Sequence, residues 1–268
     1  MKFSIRSGSL MAALALAVAA CTHPSSEAQP SKMAEGGTGK VSNAADPSLI
    51  HRYSFTSDAK DWAGKVDGVL KNGAKITDGK VVLANSGKAS DAADLGYVDF
   101  PSSILPKTGS ASIVLWYTGT SAENFARLLD IGDREGAEGR AFVYLTPRTS
   151  GGNSRVRISA VDTRSSQVMV EGPAIDDGKP HCIAIVFDTP ANHMHLFVDG
   201  KEAATAADLG TNNLATVKPV HTWIGRSGYD QDPGLSGSID ELRVYDKALN
   251  AQEVLSLANL GPDKLPAK

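Results

Sequence analysis

Apolar and polar positions alternate with a period of two along much of the chain, the pattern of half-buried antiparallel strands. Gly96-Tyr97-Val98-Asp99-Phe100, Arg155-Val156-Arg157-Ile158-Ser159-Ala160-Val161 and Ser238-Ile239-Asp240-Glu241-Leu242-Arg243-Val244-Tyr245 all follow it. Ser112-Ile113-Val114-Leu115-Trp116-Tyr117 and Ile183-Ala184-Ile185-Val186-Phe187 are apolar nearly throughout, which predicts mid-sheet strands covered on both faces. Asp-Gly pairs at 67–68, 78–79, 177–178 and 199–200 predict tight turns, because both residues tolerate positive φ. Met194 to Val198, the pair at 199–200 and Lys201 to Ala203 together predict a hairpin. One helix is signalled over 251–259: Asn250 can cap it, Glu253 can close a capping box, and Leu249 with Val254 can staple it. Its apolar positions Val254, Leu255, Leu257 and Leu260 are expected to seal one end of the molecule. Many short strands with a single helix predict an all-β fold, a two-sheet antiparallel jelly-roll sandwich with one short C-terminal helix.

The ends read differently. Lys2 and Arg6 precede an apolar run from Leu10 to Ala20 that is too short to span a bilayer, so residues 1–20 read as a secretory signal. The run closes Leu16-Ala17-Val18-Ala19-Ala20-Cys21, which resembles the bacterial lipobox. That resemblance implies lipidation at Cys21, a membrane anchor made of more than one acyl chain, and the outer membrane of the cell envelope as location. Residues 21–47 are rich in Ser, Ala, Gly and Pro with almost no large apolar side chain, the composition of a flexible tether. The folded domain is expected over 48–260, followed by a loose tail over 261–268.

Composition narrows the partner. Removing residues 1–20 takes away two basic residues and no acid, moving the formal charge from −3 to −5. No basic surplus remains to neutralise phosphates, which argues against nucleic acid as a partner. The two cysteines build no disulfide framework, and Cys182 sits in an apolar strand as a small buried hydrophobe.

Trp223-Ile224-Gly225-Arg226-Ser227, and after a loop Gly237-Ser238-Ile239-Asp240-Glu241-Leu242-Arg243-Val244-Tyr245-Asp246-Lys247-Ala248-Leu249, resemble the terminal signature of bacterial LamG-like jelly rolls in the concanavalin A-like lectin/glucanase superfamily. Leu49 to Phe55, Ser112 to Tyr117, Phe142 to Pro147 and Leu196 to Gly200 support the resemblance, which spans about Leu49 to Leu260. Lys179-Pro180-His181-Cys182 departs from it, keeping one histidine of a Trp-His-His corner. Within the signature, Ile239, Leu242 and Val244 suit the core, while Asp240, Glu241 and Arg243 suit polar positions bonding neighbouring loops.

The resemblance implies a non-catalytic module binding carbohydrate or a glycosylated surface partner, with protein adhesion as the alternative. It also implies a calcium site, whose matching residues here are Asp240 and Asp58. Asp230 and Asp232 form a second acidic pair, but no Glu stands at the twelfth position of an EF-hand loop. Sugar binding needs aromatic platforms flanked by hydrogen-bonding groups. The candidates are Tyr229, Tyr144 and Trp223 as platforms, with Arg226, Arg157 and Asp230 beside them; Tyr229, in a Gly-, Asp- and Pro-rich loop, is expected to be exposed. Trp223, followed by Ile224, suits the core equally well. A retaining glycosidase needs two carboxyls about 5–5.5 Å apart on one strand face. The nearest imitation, Asp133, Glu135 and Glu138, lies among glycines and charges that predict a surface turn. His51, His181, His193, His195 and His221 show no zinc-helix spacing and read as ordinary strand-surface histidines, His193 and His195 sharing one face.

Overall fold

A computed structural model describes residues 46–266, except 92–93, 102, 121, 136–138 and 160–166. The expected signal, Cys21 and the tether as far as residue 45 lie outside the described residues. The strands are β1 (Leu49–Tyr53), β2 (Val69–Lys71), β3 (Lys75–Thr77), β4 (Lys80–Ala84), β5 (Tyr97–Asp99), β6 (Ala111–Thr120), β7 (Leu129–Gly132) and β8 (Phe142–Thr146). They continue with β9 (Ser154–Ser159), β10 (Val168–Gly172), β11 (Asp177–Asp188), β12 (His193–Val198), β13 (Lys201–Ala206), β14 (His221–Ile224) and β15 (Ser236–Tyr245), before the helix α1 (Ala251–Leu260).

These strands make two antiparallel sheets. The larger runs β13-β12-β11-β6-β15-β4-β3, with β1 beside β4 on the far part of β15; the smaller, seven-stranded sheet runs β10-β9-β8-β7-β14-β5-β2. The fold is the expected jelly-roll sandwich. Alternate residues fill the space between the sheets: Ile113, Leu115, Ile183, Ile185, Leu242 and Val244 from one, Leu129, Ile131, Val143, Leu145, Val156, Ile158 and Ile224 from the other. Ile239 joins them, as the signature predicts.

Both β6 and β11 are covered on the outside as well, which is why their sequences lack alternation. Val114, Trp116, Cys182, Ala184, Val186 and Phe197 point away from the main core and form a second apolar cluster with Leu249, Val254 and Leu257. The helix therefore lies across the outer face of the larger sheet; it does not seal an end as its apolar stripe predicted. The capping box is present, Asn250 Oδ1 accepting from the Glu253 amide at 3.0 Å and Glu253 Oε2 from the Asn250 amide at 2.8 Å. Cys182 is buried there, its thiol pKa pushed up to about 12 by desolvation.

Two of the four Asp-Gly pairs make the expected turns, with both residues at positive φ: 52° and 74° at 78–79, 52° and 76° at 199–200. At Asp177-Gly178 the chain stays in β11 and shifts register before Pro180, and the 67–68 pair lies in a loop, where Asp67 accepts from the Asp61 amide at 2.9 Å.

Beneath the end of the helix lies a fully buried ion pair. Glu241 accepts from Arg243 Nε at 2.7 Å and Nη2 at 2.8 Å, from Arg52 Nε at 2.6 Å, and from the Asp263 amide. Arg243 also donates to the Lys264 carbonyl at 2.8 Å and lies 4.6 Å from the Trp116 ring. Residues 261–266, expected to be loose, are held down by this pair. Replacing Glu241 by Leu leaves Arg243 charged and unmatched, so urea unfolding should report a loss of about 3–5 kcal/mol; Glu241→Leu with Arg243→Met should recover most of it.

His181, the retained residue of the divergent corner, bridges two elements, its Nδ1 bonding Asp199 at 2.8 Å and its Nε2 bonding Asp177 at 2.9 Å. Burial opposes its charge, but the two carboxylates prevail and raise its pKa above 6.5. Its contribution to stability is thus complete below the unfolded pKa and is lost as pH rises through the folded one. The melting difference between the wild type and His181→Gln should shrink as pH rises above about 6.5; a constant difference would refute the ion pairs.

Candidate functional site

The outward face of the seven-stranded sheet carries one unbroken cross-strand row. Met169 pairs with Arg157, Arg157 with Tyr144, Tyr144 with Asp130, Asp130 with Trp223, Trp223 with Asp99, and Asp99 with Val69. Cross-strand partners share a face. Their sequence neighbours Ile158, Val143, Ile131, Ile224 and Val98 point into the core, so the row points out.

Loops fold over the middle of this row and bury it. Asp130, only 3% exposed, accepts from His221 Nε2 at 2.9 Å and from the Gly228 amide at 3.2 Å, and lies 3.4 Å from Arg127 Nε. Arg127 also grips Asp232 at 2.7 Å and lays its guanidinium 3.8 Å above Tyr144 and 5.5 Å from Tyr229. The imidazole of His221 stacks on Trp223 at 4.2 Å and is wedged between Gly132 and Gly228, where a Cβ on either would come within 2.8 Å of its Cε1. Trp223 Nε1 donates to Asp99 at 3.0 Å, and Arg226 lies 3.9 Å over the indole and 5.1 Å over Tyr97.

Burial shows in the acid–base chemistry. Desolvation pushes the Tyr229 phenol up to about 12, with Arg127 opposing. It also raises the Asp232 carboxyl despite Arg127 and the Ser227 hydroxyl.

The polar inventory is incompletely satisfied. A carboxylate only accepts, so His221 Nε2 carries the proton of that bond; its other ring nitrogen, Nδ1, is buried without a partner. The Nε–H groups of Arg127, Arg157 and Arg226 are likewise buried without a hydrogen-bond acceptor. Four of the six such nitrogens among the described residues therefore gather on this face. Unmatched polar groups beside aromatic rings are the equipment for holding hydroxyls or acid groups against an apolar ring face.

All five residues singled out in the sequence, Tyr144, Arg157, Trp223, Arg226 and Tyr229, meet on this one face. Their roles differ from the expectation: Tyr144 and Trp223 are 2% and 3% exposed with guanidinium groups over them, and Tyr229 is half-buried. The most exposed aromatic side chain among the described residues is Trp62, at 62%, on the loop between β1 and β2. That loop is fixed by Asp61, which accepts from the amides of Arg52, Ala63, Gly64 and Val66 and from His51. Arg127, Asp130, His221, Tyr97 and Asp99 were missed as members of the face. The available signal was Leu129-Asp130-Ile131-Gly132, an acid at an alternate strand position.

The acidic candidates lie apart from one another in their bonding. Asp240 pairs with Lys80 at 2.6 Å, while Asp58 accepts from the Lys60 amide at 3.0 Å. No group of three or more His, Cys, Asp or Glu able to hold a metal occurs among the described residues. Asp230 is half-buried, and Asp133 accepts the Arg140 amide at 2.9 Å; Glu138 lies outside the described residues. The histidines are not all surface groups, since His221 is 5% exposed and His51 pairs with Asp61 at 2.6 Å. His193 and His195 do share a face, with rings 5.6 Å apart.

The family model for the concanavalin A-like lectin/glucanases superfamily matches residues 92–255, a stretch that contains most of this face. The chain belongs to that superfamily. No curated protein matches this superfamily member. Among solved structures it is similar to domain 4 of AbnA, an extracellular arabinanase from Geobacillus stearothermophilus, in complex with arabinotriose. The TM-score is 0.59 at 18% identity, covering 78% of this chain and 98% of that one. It is also similar to the CBM40 of a Ruminococcus gnavus IT-sialidase, with TM-score 0.50, 18% identity, and 66% and 96% covered. Botulinum neurotoxin type C, whose cell entry depends upon interaction with two ganglioside molecules, gives TM-score 0.60 at 12% identity, covering 79% of this chain and 51% of that one.

Asp130 holds the face together, so Asp130→Ala should cost about 3 kcal/mol in chemical denaturation by stranding Arg127 and His221. Trp223 fluorescence should change in the folded variant. An unaltered spectrum with unaltered stability would remove Asp130 from the centre of the network.

Proposed function

We propose that this chain is a non-catalytic, exported binding module that recognises an oligo- or polysaccharide on the outward face of its seven-stranded sheet. The observation that carries the reading is the cluster of unpartnered Arg157, Arg226 and His221 nitrogens, with the ion-paired Arg127 beside them, set among Tyr97, Tyr144, Trp223 and Tyr229. Sugars are held by that combination of ring faces and directed hydrogen bonds. The sugar ligands named for the similar arabinanase domain and for the CBM40 bound to sialyllactose support it.

The way the carboxylates are used supports binding without hydrolysis. Asp130 and Asp232 approach the same guanidinium, but Asp130 has both oxygens engaged and Asp232 holds Arg127 and Ser227 at once. Neither is free to protonate a leaving group or attack a sugar carbon. The lipid anchor at Cys21 and the envelope location belong to the same proposal, with the tether carrying the domain away from the membrane. Among the described residues no helix is long and apolar enough to cross a membrane.

A glycan-array screen of the purified protein, run with calcium and again with chelator, tests the function. Glycan binding is expected, and Tyr229→Ala should weaken it by about tenfold per folded molecule. Loss of binding in chelator would add calcium, with Asp240 and Asp58 as its first candidates. Silence on the array together with specific capture of envelope proteins would replace carbohydrate recognition by protein adhesion, and product release from a bound glycan would restore hydrolysis.

A further inference from the structure

Two of the arginines on this face lack the carboxylate that the others have. Arg127 is matched by Asp130 and Asp232, Arg148 by Asp176, and Arg155 by Glu171. Arg157 and Arg226 form no ion pair among the described residues. Arg157 lies 6.0 Å from the Tyr144 ring and Arg226 covers Trp223, donating to the Tyr97 hydroxyl at 3.3 Å. Both are half-buried, and both bury an Nε–H that meets no acceptor.

A guanidinium is always charged and presents its donors as a fork that fits the paired oxygens of a carboxylate or sulfate. The hydroxyls of a neutral sugar can take its hydrogen bonds but not its charge. Charge recognition is strongest where water is partly excluded, as it is here for both arginines. Binding on the strength of rings and hydroxyls alone would not require two unmatched cations at opposite sides of the aromatic centre. We infer, on the footing of the carbohydrate reading above, that the ligand is an acidic oligosaccharide whose carboxylate or sulfate groups are received by Arg157 and Arg226.

The spacing sets the length of that ligand. Arg157 stands on β9 and Arg226 covers Trp223 of β14, with β8 and β7 between them. Three strand intervals of about 4.8 Å put the two on the order of 14 Å apart. One acid group cannot reach both, so the chain of sugars lies across β8, β7 and β14 with acid groups toward each end.

The test is calorimetric titration of the purified full-length protein with three probes: a galacturonate trimer, its fully methyl-esterified form, and a sulfated galactan oligomer of similar length. At least one acidic probe should bind, more weakly as salt rises, and the esterified trimer should bind at least about tenfold more weakly. Whichever acidic probe binds better identifies the acid group as carboxylate or sulfate. Arg157→Gln and Arg226→Gln should each lose about tenfold to a hundredfold for the acidic probe. Arg155→Gln, whose charge Glu171 already matches, should lose nothing. Should Arg226→Gln fail to fold, Arg226→Lys replaces it; the charge stays and the fork goes, so a smaller loss is expected and an unchanged affinity counts against the assignment. Equal binding of the esterified trimer, with both glutamine variants unaffected, would overturn the acidic class and leave the carbohydrate reading standing. No binding of any probe, with a silent glycan array, would overturn both.

Discussion

The central strands of both sheets of this sandwich are covered on both faces, and that constraint governs where their charges can go. A two-sheet fold ordinarily exposes the outer face of each sheet and satisfies its polar side chains with water. Here the outer face of the larger sheet is sealed by α1 and the segment after it, and the middle of the other outer face is roofed by the loops carrying Arg127 and Gly228. An acid at an outward strand position therefore finds itself dry and must be matched within the protein. Glu241 is matched by Arg243, Arg52 and a backbone amide; Asp130 is matched by His221, Arg127 and a backbone amide. Each carboxylate ties together elements far apart in the chain. Each can do so only because its partners converge from several strands and loops at once.

The same constraint decides what the sequence discloses. Alternation reveals which residues face the core, so the strands, the sandwich and the capped helix are legible. Tyr144, Arg157, Trp223, Arg226 and Tyr229 could be chosen by residue type, and the register then brings them to one face. Their exposure could not be read, because outward-facing Tyr144 and Trp223 are covered by groups that local periodicity does not connect to them. Asp130 and His221 are 91 residues apart, and only the placement of β7 beside β14 joins them. The helix is a second case: its capping box fixes its start, but its docking surface depends on β6 and β11 being apolar on both faces. Their lack of alternation was the visible sign, pointing to a cover without saying which segment supplies it. Glu241 and Arg243 illustrate the converse, since a strand with polar residues at alternate positions reads as solvent-facing until the tail is known to lie on top.

The two covered faces differ in the strength of their covers, and that difference separates a structural face from a working one. On the larger sheet the cover is an apolar cluster over an ion pair whose disruption costs about 3–5 kcal/mol, so it stays shut. On the smaller sheet the outermost layer over the rings is guanidinium, and a cation over an aromatic face is worth about 0.5–2 kcal/mol. Arg226 has one further bond, at 3.3 Å to Tyr97, and Arg157 has no hydrogen bond to other described residues. Arg226 is thus held over Trp223 by weak contacts, whereas Arg127, which covers Tyr144 at 3.8 Å, is fixed by Asp130 and Asp232 and belongs to the floor. The arginine that shields the Trp223 ring is thus the one whose charge no carboxylate of the protein matches. A rigid floor with displaceable cations gives affinity through preorganisation and leaves selection to charge.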